Sequence, residues 1–265
     1  MRLVRKGQGF AEVEFGDLTV FALSDGFAMM DAGCAVLDGA PMDVAQMAGT
    51  LVEGNIRLEV YAFFIRGPDG TVLIDAGGGA WHQTTGKLLE AMADAGISPQ
   101  EVDQIALTHT HIDHIGGLVR GDGSRAFPNA RRILVPTEEL AAFRAAPRMG
   151  LLSSHVLPLE QGDGVMPGVV AINAPGHSAG HMAFLIEGRL LIWGDLLHLP
   201  GIQFARPEVT WLYDDDPARA TATRLALFQR VMADGLAVAG AHLAFPAIGH
   251  ILQTADGLVF DPVGD

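Results

Sequence analysis

Residues 108–117 read Thr-His-Thr-His-Ile-Asp-His-Ile-Gly-Gly, and this stretch constrains the chain more than any other. His109, His111, Asp113 and His114 fall within six consecutive positions, directly after the apolar run Ile105-Ala106-Leu107. Such a run reads as a short buried strand. Residues i and i+2 of a strand share a side, so His109 and His111 converge from its end while Asp113 and His114 lie on the loop beyond. Imidazole and carboxylate donors together suit zinc and neighbouring first-row metals. A polar loop of individually satisfied histidines is the plainer reading; the crowding of four donors argues against it.

Composition narrows the class. The chain has 265 residues, 49 % hydrophobic and 18 % charged, which is core-rich and globular rather than disordered. The formal net charge of −14 excludes a nucleic-acid backbone or an anionic membrane surface as the expected partner. Cys34 is the single cysteine, so neither an internal disulfide nor a cysteine-based zinc site can form. The basic start, Met1-Arg-Leu-Val-Arg-Lys-Gly, leads into no signal-like apolar segment. No apolar run reaches the roughly 18 residues of a membrane span, and the expected location is cytoplasmic.

Taken in order, alternation over residues 11–24 predicts a hairpin turning at Gly16-Asp17. Residues 25–55 are rich in Gly, Met and Ala, with a short helix expected near Asp43–Leu51. Met29, Met30, Met42 and Met47 there are read as core fillers, with an adaptable pocket lining as the alternative. A second hairpin runs from Glu59 to Asp75 through Gly67-Pro68-Asp69-Gly70. The following Ala76-Gly77-Gly78-Gly79 allows close backbone approach but has neither of the usual nucleotide-loop spacings. Leu88, Leu89 and Met92 give helical spacing up to Gly96.

Beyond the cluster, a strand is expected at Arg131–Val135, then a helix Glu138–Arg144 capped by Thr137. Residues 145–165 read as irregular. Val169–Ala174 is a strand leading to Pro175-Gly176-His177-Ser178-Ala179-Gly180-His181. Met182–Ile186 and Leu190–Trp193 pair about Gly188, and the second delivers Gly194-Asp195. Residues 198–215 form a loop carrying Phe204, Trp211 and Tyr213. Asp216-Pro217 opens a helix with an apolar face of Leu225, Phe228, Val231 and Met232, closed by Gly235. A last strand, Leu236–Ala241, ends at His242, with His250 eight positions on. No linker or repeat interrupts the chain. It reads as one mixed, layered α/β domain over residues 1–265, with region 1–55 free to contribute to a pocket and its apolar part, 18–52, to a homodimer contact.

Eight of the ten histidines fall in four places: His109/His111/His114, His177/His181, His198, and His242/His250. Each group follows an expected strand, and donors at several strand ends build a site along one edge of a layered fold. His109-x-His111-x-Asp113-His114, Pro175-Gly176-His177-x-x-Gly180-His181, Gly194-Asp195 and the late His242 occur in the order that characterises the metallo-β-lactamase superfamily. Val72-Leu-Ile-Asp75-Ala-Gly77 resembles its early strand and loop.

That resemblance implies an αββα sandwich of two mixed sheets flanked by helices, and a dinuclear metal centre. His109, His111 and His177 would hold one ion and Asp113, His114 and His242 the other, with Asp195 bridging. The ions would be zinc, or manganese, iron or cobalt according to supply. Two ions about 3.5–4 Å apart share a hydroxide as nucleophile, and Asp113 would relay its proton. Asp75 and His181 are expected to support the donor loops. His198 is expected either to face the substrate or to cap its loop. Phe204, Trp211 and Tyr213 are each read as core, with one of the three expected to touch the substrate; His250 competes with His242 for the last donor position.

The segments Gly194-Asp-Leu-Leu-His-Leu-Pro, Gln203-Phe-Ala-Arg-Pro and Ala241-His-Leu-Ala-Phe-Pro resemble the branch holding quorum-quenching lactonases and methyl parathion hydrolase-like enzymes. The expected function is therefore a metal-dependent lactonase acting on an acyl-homoserine or related lactone. A phosphotriesterase is the alternative, followed by a glyoxalase II-like thioesterase and a non-catalytic metal-binding domain. The substrate in each catalytic case is a small molecule.

Overall fold

A computed structural model describes residues 1–255 and 257–264. In chain order the strands are β1 (Arg2–Lys6), β2 (Phe10–Phe15), β3 (Leu18–Asp31), β4 (Ala35–Leu37), β5 (Ala40–Pro41), β6 (Leu51–Val52), β7 (Asn55–Gly67), β8 (Gly70–Ile74), β9 (Gln104–Ala106) and β10 (Arg132–Pro136). They continue as β11 (Val156–Leu159), β12 (Gly164–Met166), β13 (Val169–Asn173), β14 (Met182–Ile186), β15 (Leu190–Ile192), β16 (Thr210–Trp211), β17 (Ala237–Ala239), β18 (Ile248–Thr254) and β19 (Gly257–Pro262). The α-helices are α1 (Leu88–Asp94), α2 (Ile112–Ile115), α3 (Leu140–Ala145), α4 (Pro200–Gln203) and α5 (Pro217–Asp234).

Two large sheets form: one runs β1-β2-β3-β7-β8-β9-β10-β11, with β6 on β7, and the other runs β12-β13-β14-β15-β17-β18-β19; β16, β4 and β5 make a small third sheet. Both large sheets are mixed. β8, β9, β10 and β11 are mutually parallel, and β15 is parallel to β17. The period-two pattern of the strands explains the layering. On β7, Tyr61, Phe63 and Ile65 point into the core between the sheets, while Ala62 and Phe64 join a second core beneath α1 and α3. Val20 and Ala22 against Phe21 and Leu23 repeat the division on β3. On the second sheet, Phe184, Ile186, Leu190 and Ile192 face the shared core, which α5 joins through Leu227, Phe228 and Val231. The architecture is the expected α/β sandwich.

Topology fixes where the site lies. β8 and β9 are parallel, so Asp75 and the 108–114 loop leave the first sheet at one edge. β13 and β15 are each antiparallel to β14, hence parallel to one another and to β17, so the segments before His177, Asp195 and His242 leave the second sheet together. Two backbone hydrogen bonds close this edge between the sheets, Met182 N to Thr108 O at 2.8 Å and Tyr61 N to Ala241 O at 3.0 Å. The glycine loops interlock beside it: a Cβ on Gly117 would lie 2.0 Å from Ala76 O.

Both hairpins, α1 and α5 form where the pattern places them. Asp216 accepts from Arg219 N, Pro217 takes the first turn, and Gly235 closes α5 at φ 63°. Its buried face differs, however. Leu225 and Met232 are exposed, and the inward positions belong to Ala220, Arg224, Leu227, Phe228 and Val231. An arginine inside reads as polar in any periodicity count, which rotated the expected stripe. Arg224 is accommodated because its guanidinium donates to the carbonyls of Leu196, Pro207 and Val209.

Other differences have similar local causes. Residues 145–165 are not irregular: they hold a 3₁₀ segment Met149–His155 and the strands β11 and β12. Pro158 disguises β11, yet proline is tolerated on an edge strand. The 198–215 loop contains α4 and β16. Thr137 does not cap α3: its hydroxyl donates to Glu160 Oε1 at 2.6 Å, and a 3₁₀ turn Thr137–Glu139 precedes α3. The helix expected near residue 43 is a 3₁₀ turn, Val44–Met47. Met42 and Met47 are core, as expected, and belong to a third apolar cluster with Cys34, Leu58, Ile202 and Trp211.

Phe184 lies fully buried between the sheets. Phe184→Ala should lower unfolding free energy by about 3–5 kcal/mol, read from urea denaturation followed by circular dichroism. A loss below about 1 kcal/mol would mean that the two sheets do not meet at this residue.

Candidate metal centre

The strand-end loops converge on one carboxylate. Asp195 is buried, and four imidazole nitrogens surround its Oδ2: His242 Nε2 at 3.0 Å, His198 Nε2 at 3.2 Å, His177 Nε2 at 3.3 Å and His109 Nε2 at 3.7 Å. His114 Nε2 approaches Oδ1 at 3.0 Å. The chain can deliver Asp195 here because Gly194 precedes it. That residue has φ 55°, and a Cβ on it would lie 2.5 Å from His181 Nε2.

Two sets of potential donors share Asp195. His109, His111, His177 and Asp195 offer atoms within 4.8 Å of one another, and so do Asp113, His114, Asp195 and His242. The donor chemistry fits a pair of divalent cations. His109 Nε2, His114 Nε2 and Asp195 Oδ1 are buried without a hydrogen-bond partner, although His114 Nε2 and Asp195 Oδ1 are only 3.0 Å apart. Their approach lacks hydrogen-bond geometry. Buried polar atoms left in this way are costly, and a cation between them would satisfy several at once. His111 Nδ1 and His177 Nε2 likewise face each other at 2.9 Å.

The far nitrogens are anchored, which orients each ring. His114 Nδ1 meets Asp75 Oδ2 at 2.8 Å, His177 Nδ1 meets Asp214 Oδ1 at 2.8 Å, and His242 Nδ1 meets the Glu59 carbonyl at 2.6 Å. Asp75 also accepts from the Thr108 amide and hydroxyl, each at 2.8 Å, and holds φ 60° to do so. Burial disfavours charge on His177, but Asp195 and Asp214 outweigh it and lift the imidazole to about 9. Burial likewise opposes charge on His114, and Asp195, Asp113 and Asp75 override it and hold the ring well above its ordinary value. For His109 burial wins, and the pKa falls well below the usual range.

The remaining candidates separate cleanly. His181 lies outside both donor sets. Its Nδ1 bonds the Ala174 carbonyl at 2.7 Å and its Nε2 accepts the Asp195 amide at 3.1 Å, so it positions that loop. Burial drives its pKa down to about 4, which keeps Nε2 an acceptor. His198 stacks on Trp211, with centroids 4.9 Å apart at 5°. Both line a cavity of about 230 Å³ whose floor holds His111, Asp113, His177 and Asp195. Phe204 does not reach that cavity: it packs against Trp193, Phe228 and Phe260 in the core. His250 stands on β18 opposite Asp261, outside both donor sets, whereas His242 falls within one of them.

Met30, Leu58, Trp81, Ile112 and Tyr213 complete the cavity wall. Met30 comes from β3 and Leu58 from β7, the two strands of the long arm. Asp214 escaped the sequence reading because it sits in an Asp-Asp-Asp run that resembles a solvated helix start. Trp81 lies in a glycine-rich loop without periodicity, and no local signal marked it.

Residues 56–242 match the Metallo-beta-lactamase superfamily. The N-acyl homoserine lactonase of Bacillus cereus is 29 % identical over 174 residues, 55 % of this chain and 66 % of that protein, so the match spans just under two thirds of the relative's length. N-acyl homoserine lactonase AiiA of Bacillus thuringiensis subsp. kurstaki is 29 % identical over 182 residues, 59 % of this chain and 68 % of its own. Among solved structures, AidC, a dizinc quorum-quenching lactonase in complex with N-hexanoyl-L-homoserine, superposes with a TM-score of 0.84 at 23 % identity, covering 97 % of this chain and 98 % of that one. The hydrolase AbOPH gives 0.84 at 27 % identity, covering 98 % and 99 %. With the family match covering most of its length and the sandwich fold shared, the chain belongs to the metallo-beta-lactamase superfamily.

Proposed function

We propose that this protein is a dinuclear metal-dependent hydrolase, a lactonase that opens an N-acyl homoserine lactone or a related lactone ester. The observation that carries the proposal is the single Asp195 carboxylate shared by two donor sets on the floor of an apolar cavity. The similarity to N-acyl homoserine lactonases supports the choice of substrate.

His109, His111 and His177 would hold one ion and Asp113, His114 and His242 the other, with Asp195 bridging. The preferred ion is zinc, and manganese, iron and cobalt satisfy the same His/Asp set. A bound pair supplies Lewis acidity and an activated water at neutral pH. The protein's own groups do the rest. Asp113 lines the cavity, and although burial opposes its ionisation, His114 and His242 hold its pKa below the ordinary carboxylate value. It is therefore an anion placed to take a proton and pass it to the departing alkoxide. Trp81, Trp211, Met30 and Leu58 exclude water around the acyl portion.

A second reading has one observation in its favour. The aromatic walls formed by Trp81, Trp211 and Tyr213 also suit the aryl leaving group of a phosphotriester. Among the described residues no helix is long and apolar enough to cross a membrane.

Metal-analysed protein restored with zinc, manganese or cobalt should hydrolyse an acyl-homoserine lactone faster than methyl parathion or a glutathione thioester. A kcat/KM ratio favouring the phosphotriester would install the second reading, and no turnover of any of them by the fully loaded protein would remove the enzymatic one. Asp195→Ala should reduce binding of both ions, and unchanged stoichiometry would argue against the shared carboxylate. His242→Ala should cost one ion while His250→Ala costs none; the reverse would reassign that donor. Asp113→Asn should lower kcat by about 10²–10⁴-fold, and a kcat within a few-fold of the parent in a two-ion variant would end its role as proton acceptor.

A further inference from the structure

Glu139 stands outside both donor sets and outside the cavity. It ends the 3₁₀ turn Thr137–Glu139 at the start of α3, and it is buried, only 6 % exposed. A buried carboxylate needs partners, and both of its oxygens have one. Thr110 Oγ1 donates to Oε2 at 2.7 Å, and Gly180 N donates to Oε1 at 2.9 Å. Burial on its own would raise the carboxyl pKa; Thr110, Ser178, Gly180 and the nearby His111 outweigh it and hold the group below the usual glutamate value.

The positions of those two partners matter. Thr110 lies between His109 and His111, and Gly180 lies in the loop that carries His177. The two loops leave different sheets, β9 in the first and β13 in the second. One rigid carboxylate therefore spans the segments that supply all three histidines of one donor set. The other set is held less directly: Asp113 and His114 follow on the Thr110 loop, three and four residues on, but His242 comes from a loop that Glu139 does not touch. In that set His114 is oriented by Asp75, and His242 by the Glu59 carbonyl.

We propose that Glu139 is a positioning residue selective for one of the two ions: it sets the spacing of His109 and His111 against His177 and leaves the Asp113/His114/His242 set alone. The proposal rests on the two-ion reading above. Charge-assisted bonds of this kind are short and directional, and groups that orient metal donors change affinity about 10–100-fold when removed. A two-pronged polar group and not merely the volume is needed, since one side chain must hydrogen-bond both loops at once. Gln can preserve the connection. Its amide oxygen accepts from Gly180 N, and its NH₂ donates to the Thr110 hydroxyl, which reverses direction.

The test reads ion affinity one position at a time by competition with a chromophoric chelator, using zinc alone. The His242→Ala background retains the ion of the His109/His111/His177 set, and the His111→Ala background retains the other. Adding Glu139→Ala should weaken zinc about 10–100-fold in the first background and change it by less than about 3-fold in the second. Glu139→Gln should stay close to the parent in both, and Thr110→Val, which removes one prong, should fall between. Melting temperatures of the chelator-treated variants verify folding. Equal losses in the two backgrounds, or no loss in the first, would overturn the proposal and make Glu139 a general packing residue. Should Glu139→Ala not fold, the Gln and Thr110→Val variants decide alone: Thr110→Val must weaken the first background selectively. A parent protein that binds fewer than two zinc ions would defeat the two-ion reading itself, a result visible before any Glu139 variant is made.

Discussion

A buried carboxylate that meets five imidazole rings is the constraint on which the rest of the structure depends. Asp195 sits 3.0–3.7 Å from nitrogens of His109, His114, His177, His198 and His242. An isolated ionised carboxylate at that depth would cost far more than a fold of this size gains in net stability. The strand directions of two sheets must therefore deliver donors to the same edge, because Asp195 cannot be satisfied from its own loop. The parallel pairs β8/β9 and β15/β17, together with β13, achieve this, and the backbone bonds at Met182 and Tyr61 lock the edge shut.

Holding five rings at one point raises a second requirement, which is orientation. Each imidazole has two nitrogens, and only one can face the centre. Asp75, Asp214 and the Glu59 carbonyl take the other nitrogen of His114, His177 and His242. The anchors come from elements far apart in sequence: the end of β8, the turn before α5 and the long strand β7. A centre of this kind is consequently a property of the whole sandwich. Burial of Arg224 follows the same logic, since its guanidinium gathers the carbonyls of residues 196, 207 and 209 and steadies the segment running from Asp195 to Asp214.

What could be read from the sequence divides along this line. Donors announce themselves, because several histidines crowded into a few positions after an apolar run seldom serve a purely structural purpose. The hairpins at Gly16 and Gly67–Gly70 and the caps of α5 were legible because turn and cap chemistry is local. Their anchors were not, for the opposite reason. Asp214 resembles a solvated acid, Glu59 acts through its backbone, and Glu139 resembles a helix-start charge. Which of Phe204, Trp211 and Tyr213 meets the cavity was not legible, because an aromatic residue in a loop gives no sign of which side it faces; Trp211 and Tyr213 do, and Phe204 packs in the core. The hidden arginine of α5 displaced the expected apolar stripe onto Leu225 and Met232, since periodicity counts cannot register a buried cation satisfied by carbonyls.

Floor and walls of the cavity have different origins, and this separates reaction from substrate. The floor consists of strand-end donors, all between residues 109 and 242 and all within the stretch that matches the superfamily. Part of the wall lies elsewhere: Met30 belongs to the β3 arm before the matched region, and its neighbours in the third apolar cluster, Cys34, Met42 and Met47, tie that arm to Ile202 and Trp211. Trp211 in turn stacks on His198, which contacts Asp195. A change in the arm is thus transmitted to the wall through apolar packing and to the floor through one ring. Packing tolerates volume-conserving exchange at small cost, whereas the floor, with its unpaired buried atoms, does not. The arm can accordingly take exchanges of similar volume, while the groups at the strand ends leave little room for any.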